Sequence, residues 1–285
     1  MSGAVEPVEP VTPLAPRPAG RTVFTQRWAH LTFLHWAVDP GVVAPLLPPG
    51  TRPDTLDGVT YAALVPFVMR DIGAFGGPRM PWFGDFCETN VRLYSVDDAG
   101  RRGVVFRSLE ASRLAPVLAA RNGPRLPYVW SSMRFSARPP AGPGVPVATP
   151  PTDGAGRLPA AAYPTGTLLE YRSRRRWPAS GGRLRTTSGR PRSTVRIRVG
   201  APVQAGPLEA FVTARWGLHL KDRAGRLRYW PNEHPTWPLH ATQAEVVDDE
   251  VLAAAGLPGL AGRPPDSVLY SPGVDVRFGP RLPVA

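Results

Sequence analysis

Short runs in which apolar and polar residues alternate recur along the chain. Successive side chains of a β-strand point to opposite faces, so this pattern is typical of strands with one buried face. Two pairs of runs flank short polar turns at 97–102 and 221–226 and predict β-hairpins. The predicted strands cover residues 27–39, 61–69, 87–96, 103–111, 126–138, 167–177, 193–200, 211–220, 227–234 and 267–278.

Short helices are predicted at three places between the strands. Asp39 and Pro40 provide an N-cap and a first helical residue for a helix over 40–47. Further helices are predicted over 116–121 and 248–256, each ending at a glycine or just before one. Many hairpin-connected strands with few helices predict a mainly β (α+β) fold, an antiparallel barrel-like or sandwich-like sheet with helices packed outside.

One predicted strand, 87–96, carries charged and polar side chains at alternating positions. Glu88, Asn90 and Arg92 would share one face, and the opposite face would be largely apolar. Either the polar face is exposed to water at a sheet edge, or it lines a polar cavity. A closed sheet directs one face inward, and a partly polar inward face predicts a cavity.

Proline and glycine are concentrated in two regions, 1–20 and 138–166. Such composition is typical of tails and linkers and not of a packed core. We therefore expect a disordered Pro-rich tail over 1–22 and a single domain over 23–285. That domain would contain a Pro/Gly-rich loop at 138–166.

Targeting and redox features are few. Residues 1–20 have no basic start and no continuous apolar run, which argues against a secretory signal peptide. No stretch approaches the apolar length of a transmembrane helix. The single cysteine, Cys87, excludes an intramolecular disulfide framework. We therefore expect a cytoplasmic protein with no membrane contact.

The formal net charge is +12, which would usually indicate a nucleic-acid or other anionic partner. Nearly all of this charge is arginine, because Lys221 is the only lysine. Arginine in place of lysine, with abundant alanine, glycine and proline, is the pattern that a GC-rich genome produces on any protein surface. The local basic patch at 172–198 has few interleaved aromatic residues, so it does not favour nucleic-acid binding. An interaction surface there remains an alternative.

A series of segments spread over residues 25–282 carries a family resemblance. In chain order they are "HLTFLHWAVDPGVVAPLLPPG", "DTLDGVTYAALVPFVM", "FCETNVRLYSV", "GVVFRSLEASRL", "LPYVWSSM", "EYRSRR", "FVTARWGLHL", "HPTWPLH" and "LYSPGVDV". Their order resembles that of the YqjF-like proteins, a bacterial family of unknown function. Through "D-P…LLP-P" and the Phe86-Cys87-Glu88 strand start, the chain also resembles acetoacetate decarboxylase, as a remote relative.

The resemblance implies an acetoacetate-decarboxylase-like antiparallel β-barrel or cone with a few short outer helices. It also implies an internal pocket for a small organic acid, a ketone or an apolar metabolite. It does not imply decarboxylation, because that enzyme forms a Schiff base on a lysine beside a second lysine. Lys221 stands alone at a hairpin turn beside Asp222, where a solvated surface charge is expected. Any reaction must therefore depend on acid/base or electrostatic groups.

Three residues are candidate catalytic groups. Glu88 in an apolar barrel would have a raised pKa and could act as a general acid or base. Arg92 could hold a carboxylate or an enolate oxygen, although a buried ion pair that orders the barrel is the alternative for both residues. His35 shares a face with Leu31 and Phe33, so a core histidine is the alternative to a catalytic one.

Other residues are candidates for substrate binding. Two of them, Ser108 and Glu110, share a face of the strand predicted to pair with 87–96, so they could lie beside Glu88. His234 lies in a Pro-rich loop that could close over a pocket, although loops also carry such residues without function. The full set of candidates is Asn90, Ser108, Glu110, Tyr171, Arg175, His234 and Trp237.

No sequence motif indicates a metal or a bound cofactor, so neither is expected. The leading hypothesis is a cofactor-independent enzyme acting on a small or medium apolar carbonyl or carboxylate metabolite. Lyase, isomerase, dehydratase or cyclase chemistry would suit a glutamate base and an arginine clamp, and secondary metabolism is a suitable setting for a GC-rich genome. The alternatives are a small-molecule-binding protein without turnover and an interaction protein that uses the 172–198 face. The sequence does not indicate an oligomeric state.

Overall fold

The computed structural model describes residues 7–75, 77, 80, 85–140, 162–177 and 190–284. Most of the predicted Pro/Gly-rich loop and part of the 172–198 face lie outside these residues. The strands of the described part are β1 (Phe24–Val38), β2 (Thr51–Pro53), β3 (Thr60–Ala74), β4 (Phe86–Asp97), β5 (Arg102–Ala111), β6 (Tyr128–Arg138), β7 (Leu168–Trp177), β8 (Arg192–Val203), β9 (Gly217–Lys221), β10 (Leu227–Glu233), β11 (Leu239–Asp249), β12 (Ser267–Phe278) and β13 (Leu282–Pro283).

Four short α-helices accompany the strands: α1 (Pro40–Val43), α2 (Leu114–Asn122), α3 (Pro207–Thr213) and α4 (Val251–Ala254). The predicted cap of α1 is confirmed, because the Asp39 carboxylate accepts a hydrogen bond from the Gly41 amide at 2.6 Å. Both predicted hairpins, β4–β5 and β9–β10, are confirmed by their antiparallel pairing. The predicted strand from residue 211 was wrong at its start, since α3 extends to residue 213.

The strands close into two circuits that share one wall. The smaller circuit runs β4, β5, β9, β10, β12, β1 and β3, and the larger runs β4, β5, β6, β7, β8, β11, β12, β1 and β3. Among the described strands almost every pairing is antiparallel, and only β5–β6 and β5–β9 are parallel. The predicted mainly β, cone-like architecture is therefore confirmed, with β1, β3, β4, β5 and β12 common to both circuits.

The shared wall is buried on both faces, which accounts for its unbroken apolar runs. In β3 every residue from Thr60 to Arg70 is buried. Two hydrophobic cores flank this wall: Phe33, Phe67 and Leu109 belong to the core inside the smaller circuit, and Trp36 and Leu64 to the core inside the larger. Burying each such side chain stabilises the fold by about 1.5–3 kcal/mol.

Two β-bulges change which residues face each core. In β1 the register with β3 shifts between Ala29 and Leu34, and His30 within that interval has a φ of 51°. In β5 the register with β4 shifts so that Arg92 pairs with Phe106 while Val91 pairs with Ser108. Each extra residue reverses the inward and outward positions of the strand beyond it.

The N-terminal segment before β1 contacts the smaller circuit. The Glu9 amide donates to the Gly100 carbonyl at 3.0 Å, and the Trp216 indole donates to the Thr12 carbonyl at 3.2 Å. The Thr236 hydroxyl donates to the Pro13 carbonyl at 3.2 Å. Residues 7–20, although predicted to be disordered from their composition, are therefore bound to the domain at several points.

Candidate functional site

A cavity of about 1100 Å³ occupies the smaller circuit. Its wall is largely apolar and comes from β1, β3, β4, β5, β9 and β10, together with α2 and the residues that follow it. Seven buried polar residues among those described interrupt that wall: Glu88, Asn90, Arg92, Thr213, Arg215, Asn232 and His234. A large apolar cavity with a few convergent polar groups is the usual form of a small-molecule site.

Glu88 is the acid of this site. Its side chain is 3% exposed, and the Tyr128 hydroxyl donates a hydrogen bond to Oε2 at 2.8 Å. Burial raises the pKa of Glu88 to about 8, and the Tyr128 hydrogen bond opposes this rise. Near neutral pH the carboxyl is therefore mostly protonated, with an ionised fraction that increases towards pH 8.

Replacing Tyr128 by phenylalanine is expected to raise the pKa of Glu88 further. The hydroxyl favours the ionised carboxylate, so its removal leaves burial unopposed. Carbon-13 chemical shifts of labelled glutamate side chains, followed through a pH titration, measure this pKa. Tyr171→Phe is the matched control, because Tyr171 is buried in the other core and its hydroxyl donates to the His30 carbonyl. A Glu88 titration unchanged in the Tyr128 variant would contradict the assignment.

Arg92 points into the same cavity, two positions along β4 from Asn90. Its Nη2 donates to the Val212 carbonyl at 3.0 Å, and Nε donates to the Tyr94 hydroxyl at 3.3 Å. The guanidinium also lies 5.4 Å from the centroid of the Phe33 ring. No carboxylate among the described residues pairs with Arg92, so its charge is available to an anionic ligand.

Arg215 is a second arginine of the site, and the sequence analysis missed it. It ion-pairs with the buried carboxylate of Asp54, and its Nε donates to the Phe211 carbonyl at 2.8 Å. Its Nη2 is buried and has no hydrogen-bond partner within the described part of the chain, and the same holds for Asn90 Oδ1. An unpaired buried donor or acceptor is costly, so a polar ligand that reached either atom would be stabilised by it.

His35 lies inside the smaller circuit beside Phe33 and Tyr94, deeper than the cavity, and is not among the residues that line the cavity. Its Nε2 is 2.9 Å from the Tyr94 hydroxyl, which itself donates to the Val212 carbonyl at 2.9 Å. Because the Tyr94 proton is used there, Nε2 of His35 must be the donor. Burial and the charges of Arg92 and Arg215 hold the pKa of His35 well below its ordinary value, so the ring is neutral.

His234 and Trp237, both predicted from a loop, line the cavity together with Trp28. Burial lowers the pKa of His234 to about 4, so its ring is neutral at physiological pH. The ring packs against Trp216 at a tilt of 31°, with centroids 4.4 Å apart. The Trp237 indole donates to the Thr213 carbonyl at 3.1 Å. These contacts fix one apolar side of the cavity.

Four other candidates lie on the opposite side of the shared wall. Beyond the β5 bulge, Ser108 and Glu110 face the larger circuit and not Glu88. Arg175 ion-pairs with Glu110, and the Ser108 hydroxyl donates to Glu110 at 2.8 Å. Tyr171 also belongs to the core of the larger circuit. The structure therefore separates these residues from the cavity.

A second polar array lies outside the cavity wall. Ser95 Oγ is 2.8 Å from Nδ1 of His219, whose Nε2 is 3.3 Å from Asp97. Serine, histidine and aspartate in a row resemble a hydrolytic triad. All three side chains are buried, and none lines the cavity. The array instead connects β4 to β9.

Lys221 is exposed at the end of β9 and does not line the cavity. Since it is the only lysine of the chain, no lysine is available there for a Schiff base. Within the described residues, no group of three His, Cys, Asp or Glu side chains is placed to hold a metal ion. No described helix is long and apolar enough to cross a membrane.

The closed strand circuits and the internal cavity define an acetoacetate-decarboxylase-like fold. An acetoacetate decarboxylase-like enzyme from Sphingomonas wittichii RW1 superposes with a TM-score of 0.55 at 14% identity, covering 95% of this chain and 96% of that one. The enduracididine biosynthesis enzyme MppR, with HEPES bound, gives a TM-score of 0.51 at 15% identity, covering 100% of this chain and 96% of that one. At these identities the likeness concerns the fold alone.

Residues 25–275 match the DUF2071 family of uncharacterized conserved proteins, and the chain belongs to that family. The uncharacterized protein YqjF of Bacillus subtilis is 26% identical over 242 residues, which cover 84% of each chain. The predicted resemblance to YqjF-like proteins and to acetoacetate decarboxylase is therefore confirmed.

Proposed function

We propose that the protein is a cofactor-independent enzyme that acts on a small or medium apolar metabolite bearing a carbonyl or carboxylate group. The observation that carries this proposal is a single buried carboxyl in an apolar cavity wall. Glu88 has a pKa of about 8, and Arg92 lies on the same face of the same strand. An acid poised near the ambient pH is suited to proton transfer in either direction.

The proposed reaction is proton transfer next to a carbonyl. Arg92 and the unpaired Nη2 of Arg215 would bind a carboxylate or an enolate oxygen by charge-assisted hydrogen bonds. Glu88, when ionised, would remove a proton from the carbon beside the carbonyl. When protonated, it would return that proton to the same or a neighbouring atom. This step occurs in many isomerase, lyase, dehydratase and cyclase reactions of carbonyl compounds.

The fold of the relatives supports a small-molecule site without identifying the substrate. One structural neighbour is a biosynthetic enzyme that has been observed with the condensation product of pyruvate and imidazole 4-carboxaldehyde. By analogy, a carbonyl-containing ligand and a setting in secondary metabolism are part of this proposal. The absence of a cavity lysine distinguishes it from Schiff-base chemistry.

Hydrogen–deuterium exchange in a panel of oxo acids tests the proposal without knowledge of the natural substrate. Pyruvate, 2-oxohexanoate and 2-oxodecanoate would each be incubated with the protein in deuterated buffer. Loss of the proton signal beside the carbonyl is then followed by nuclear magnetic resonance. We expect catalysed exchange with at least one probe, reduced by about 10²–10⁴-fold in Glu88→Gln.

Glu245→Gln is the matched control, because Glu245 is a partly exposed residue whose carboxylate pairs with Arg198 on β8. Its exchange rates should equal those of the wild type. If Glu88→Gln retains the full rate, Glu88 is not the acid/base group. Saturable binding of the probes with no exchange in any variant would instead favour the alternative of a binding protein without turnover.

A surface function is a second candidate. Arg172, Arg174 and Arg176 form an exposed row on β7 and, with Arg134 of β6, line a smaller cleft. Only one of the three arginines in the row, Arg172, ion-pairs with a carboxylate among the described residues, through Glu170. Binding of a polyanion such as heparin should then weaken steeply with salt and be lost when the row is replaced by glutamine. Binding that is independent of salt would exclude this function.

A further inference from the structure

The entrance of the cavity is rich in arginine. Among the lining residues, Arg223 and Arg226 in the β9–β10 turn are exposed. Arg228 of β10 is partly buried, and its guanidinium reaches the turn, where it pairs with Asp222. We call these three arginines the rim arginines. The cavity entrance therefore carries charged groups, whereas the cavity wall is largely apolar.

One carboxylate, Asp222, accompanies the rim arginines. It accepts hydrogen bonds from Arg226 at 3.1 Å and from Arg228 at 2.9 Å. Although its surroundings oppose ionisation slightly, these bonds lower the pKa of Asp222 to about 2, so it is fully ionised. With three arginines and one aspartate, the rim has a net positive charge.

One of the rim arginines, Arg223, has no carboxylate partner among the described residues. It donates through Nη2 to the Asn122 carbonyl at 2.7 Å. This contact positions the guanidinium group while leaving its charge uncompensated. An anionic group at the entrance would provide that compensation.

A second positive zone lies deeper in the cavity, at Arg92 and Arg215. The strand registers give its depth: Arg92 pairs with Phe106 on β5, and Val104 of β5 pairs with Leu218 on β9. Arg92 is thus level with Leu220, about four residues or 13 Å before the tip of the β9–β10 turn. Apolar residues, including Phe67, Met69, Leu109 and Trp230, line the cavity elsewhere.

We propose that the cavity takes an elongated ligand with an anionic group at each end and an apolar chain between them. Arg92 and Arg215 would bind the inner group, and the rim arginines would bind the outer one. This inference rests on the proposed function, because it assigns the substrate class to the same cavity. The volume of about 1100 Å³ exceeds what a short oxo acid needs and lies at the upper end of small-molecule pockets.

A matched pair of probes tests the outer site. Decanedioate and its monomethyl ester have the same length, but the ester lacks one negative charge. Their dissociation constants would be measured by isothermal titration calorimetry at pH 7.5 and moderate salt. We expect the diacid to bind about tenfold more tightly than the monoester, as one charge-assisted hydrogen bond predicts.

Arg223→Gln/Arg226→Gln should remove that preference by weakening the diacid alone. Arg196→Gln/Arg198→Gln is the control, since it makes the same change of charge on β8, at partly exposed positions away from the cavity. Equal affinities for the two probes in the wild type, or a preference that survives in the rim variant, would overturn the inference. So would failure of both probes to bind.

The proposed function and the two-ended ligand are tested by different experiments, so either can fail without the other. Deuterium exchange in short oxo acids depends on the inner groups and needs no contact with the rim. Exchange that is lost in Glu88→Gln, together with equal binding of the two decanedioate probes, would support the proposed function and reject the two-ended ligand. The reverse result would leave a cavity that binds diacids but does not transfer protons.

Discussion

Replacing Asp54 by alanine is expected to destabilise the protein by roughly 3–5 kcal/mol, the usual cost of breaking a buried ion pair. The Asp54 carboxylate is 3% exposed and accepts hydrogen bonds from both Arg102 and Arg215. Arg215 is itself 4% exposed, so without Asp54 its charge would be buried and uncompensated. Urea unfolding followed by circular dichroism measures the change in the free energy of unfolding.

Asp275→Ala is the matched control for this experiment. Asp275 also pairs with an arginine, Arg27, but its side chain is 74% exposed. Exposed pairs contribute up to about 1 kcal/mol, so this variant should unfold almost as the wild type does. A double variant, Asp54→Leu/Arg215→Met, should recover part of the lost stability, because it removes both charges together. If Asp54→Ala proves as stable as Asp275→Ala, Asp54 does not compensate the charge of Arg215.

The same ion pair connects stability with the proposed site. Asp54 binds Arg215 on one side, and on the other it binds Arg102, whose backbone amide donates to the Glu9 carboxylate at 2.8 Å. The N-terminal segment, the β4–β5 hairpin and the cavity are thereby linked through one carboxylate. Loss of Asp54 would therefore also disturb ligand binding by Arg215. Probe affinity measured at low temperature, where the variant stays folded, separates this effect from the loss of stability.

The polar face of β4 could be predicted from the sequence because it depends only on local alternation. Glu88, Asn90 and Arg92 keep one parity, and β4 has no irregularity between them, so their side chains share the cavity. The choice between a cavity and a solvent-exposed edge required knowledge of the fold. The structure provides it, since both neighbours of β4 in the wall are paired along this stretch.

The same parity rule failed for Ser108 and Glu110. Phe106 lines the cavity, so regular alternation would have placed both residues beside Glu88. The β5 bulge adds one residue at Arg107 and reverses the face of the strand beyond it. Nothing in "VVFRSLEA" marks a bulge, because glycine and proline are absent from it. The local pattern of the sequence therefore could not predict the extra residue of the β5 bulge.

Arg215 was missed for a different reason, namely that its partner is distant in sequence. Asp54 and Arg215 are 161 positions apart and meet only when the smaller circuit closes. The one local sign was an isolated arginine within the apolar stretch "FVTARWGLHL". The parallel contact of β5 with β9, which pairs Val104 with Leu218, is also non-local, so the division into two circuits could not be predicted from the hairpins.

The stability of the wild type should fall by about 2 kcal/mol between pH 6.5 and pH 8 because of Glu88, an effect that Glu88→Gln removes. The folded-state pKa of this carboxyl is about 8, whereas the ordinary value is 4.5. Between these values the folded state binds more protons than the unfolded chain. The stabilisation is complete below pH 4.5 and is lost as the pH rises through 8. Thermal and urea unfolding at matched pH values measure it.

Comparing the wild type with Glu88→Gln isolates Glu88 from the other buried groups that titrate, because both proteins keep those groups. Burial raises the pKa of Asp249 to about 6, so most of its contribution ends below pH 6.5. The lowered pKa values of His35 and His234 still increase stability slightly between pH 6.5 and about 7.5, where the unfolded chain loses its histidine protons, and this increase is the same in both proteins. Cys87, with a pKa raised by burial to about 11, contributes above pH 9.

Wild type and Glu88→Gln should therefore diverge steadily from pH 6.5 to 8, with the variant losing less stability. Glu245→Gln, at a partly exposed ion pair, should follow the wild type throughout. Parallel profiles for the wild type and Glu88→Gln would mean that the carboxyl is already ionised below pH 6.5. In that case Glu88 would be a fixed negative charge in the cavity wall and not an acid that exchanges protons near neutral pH.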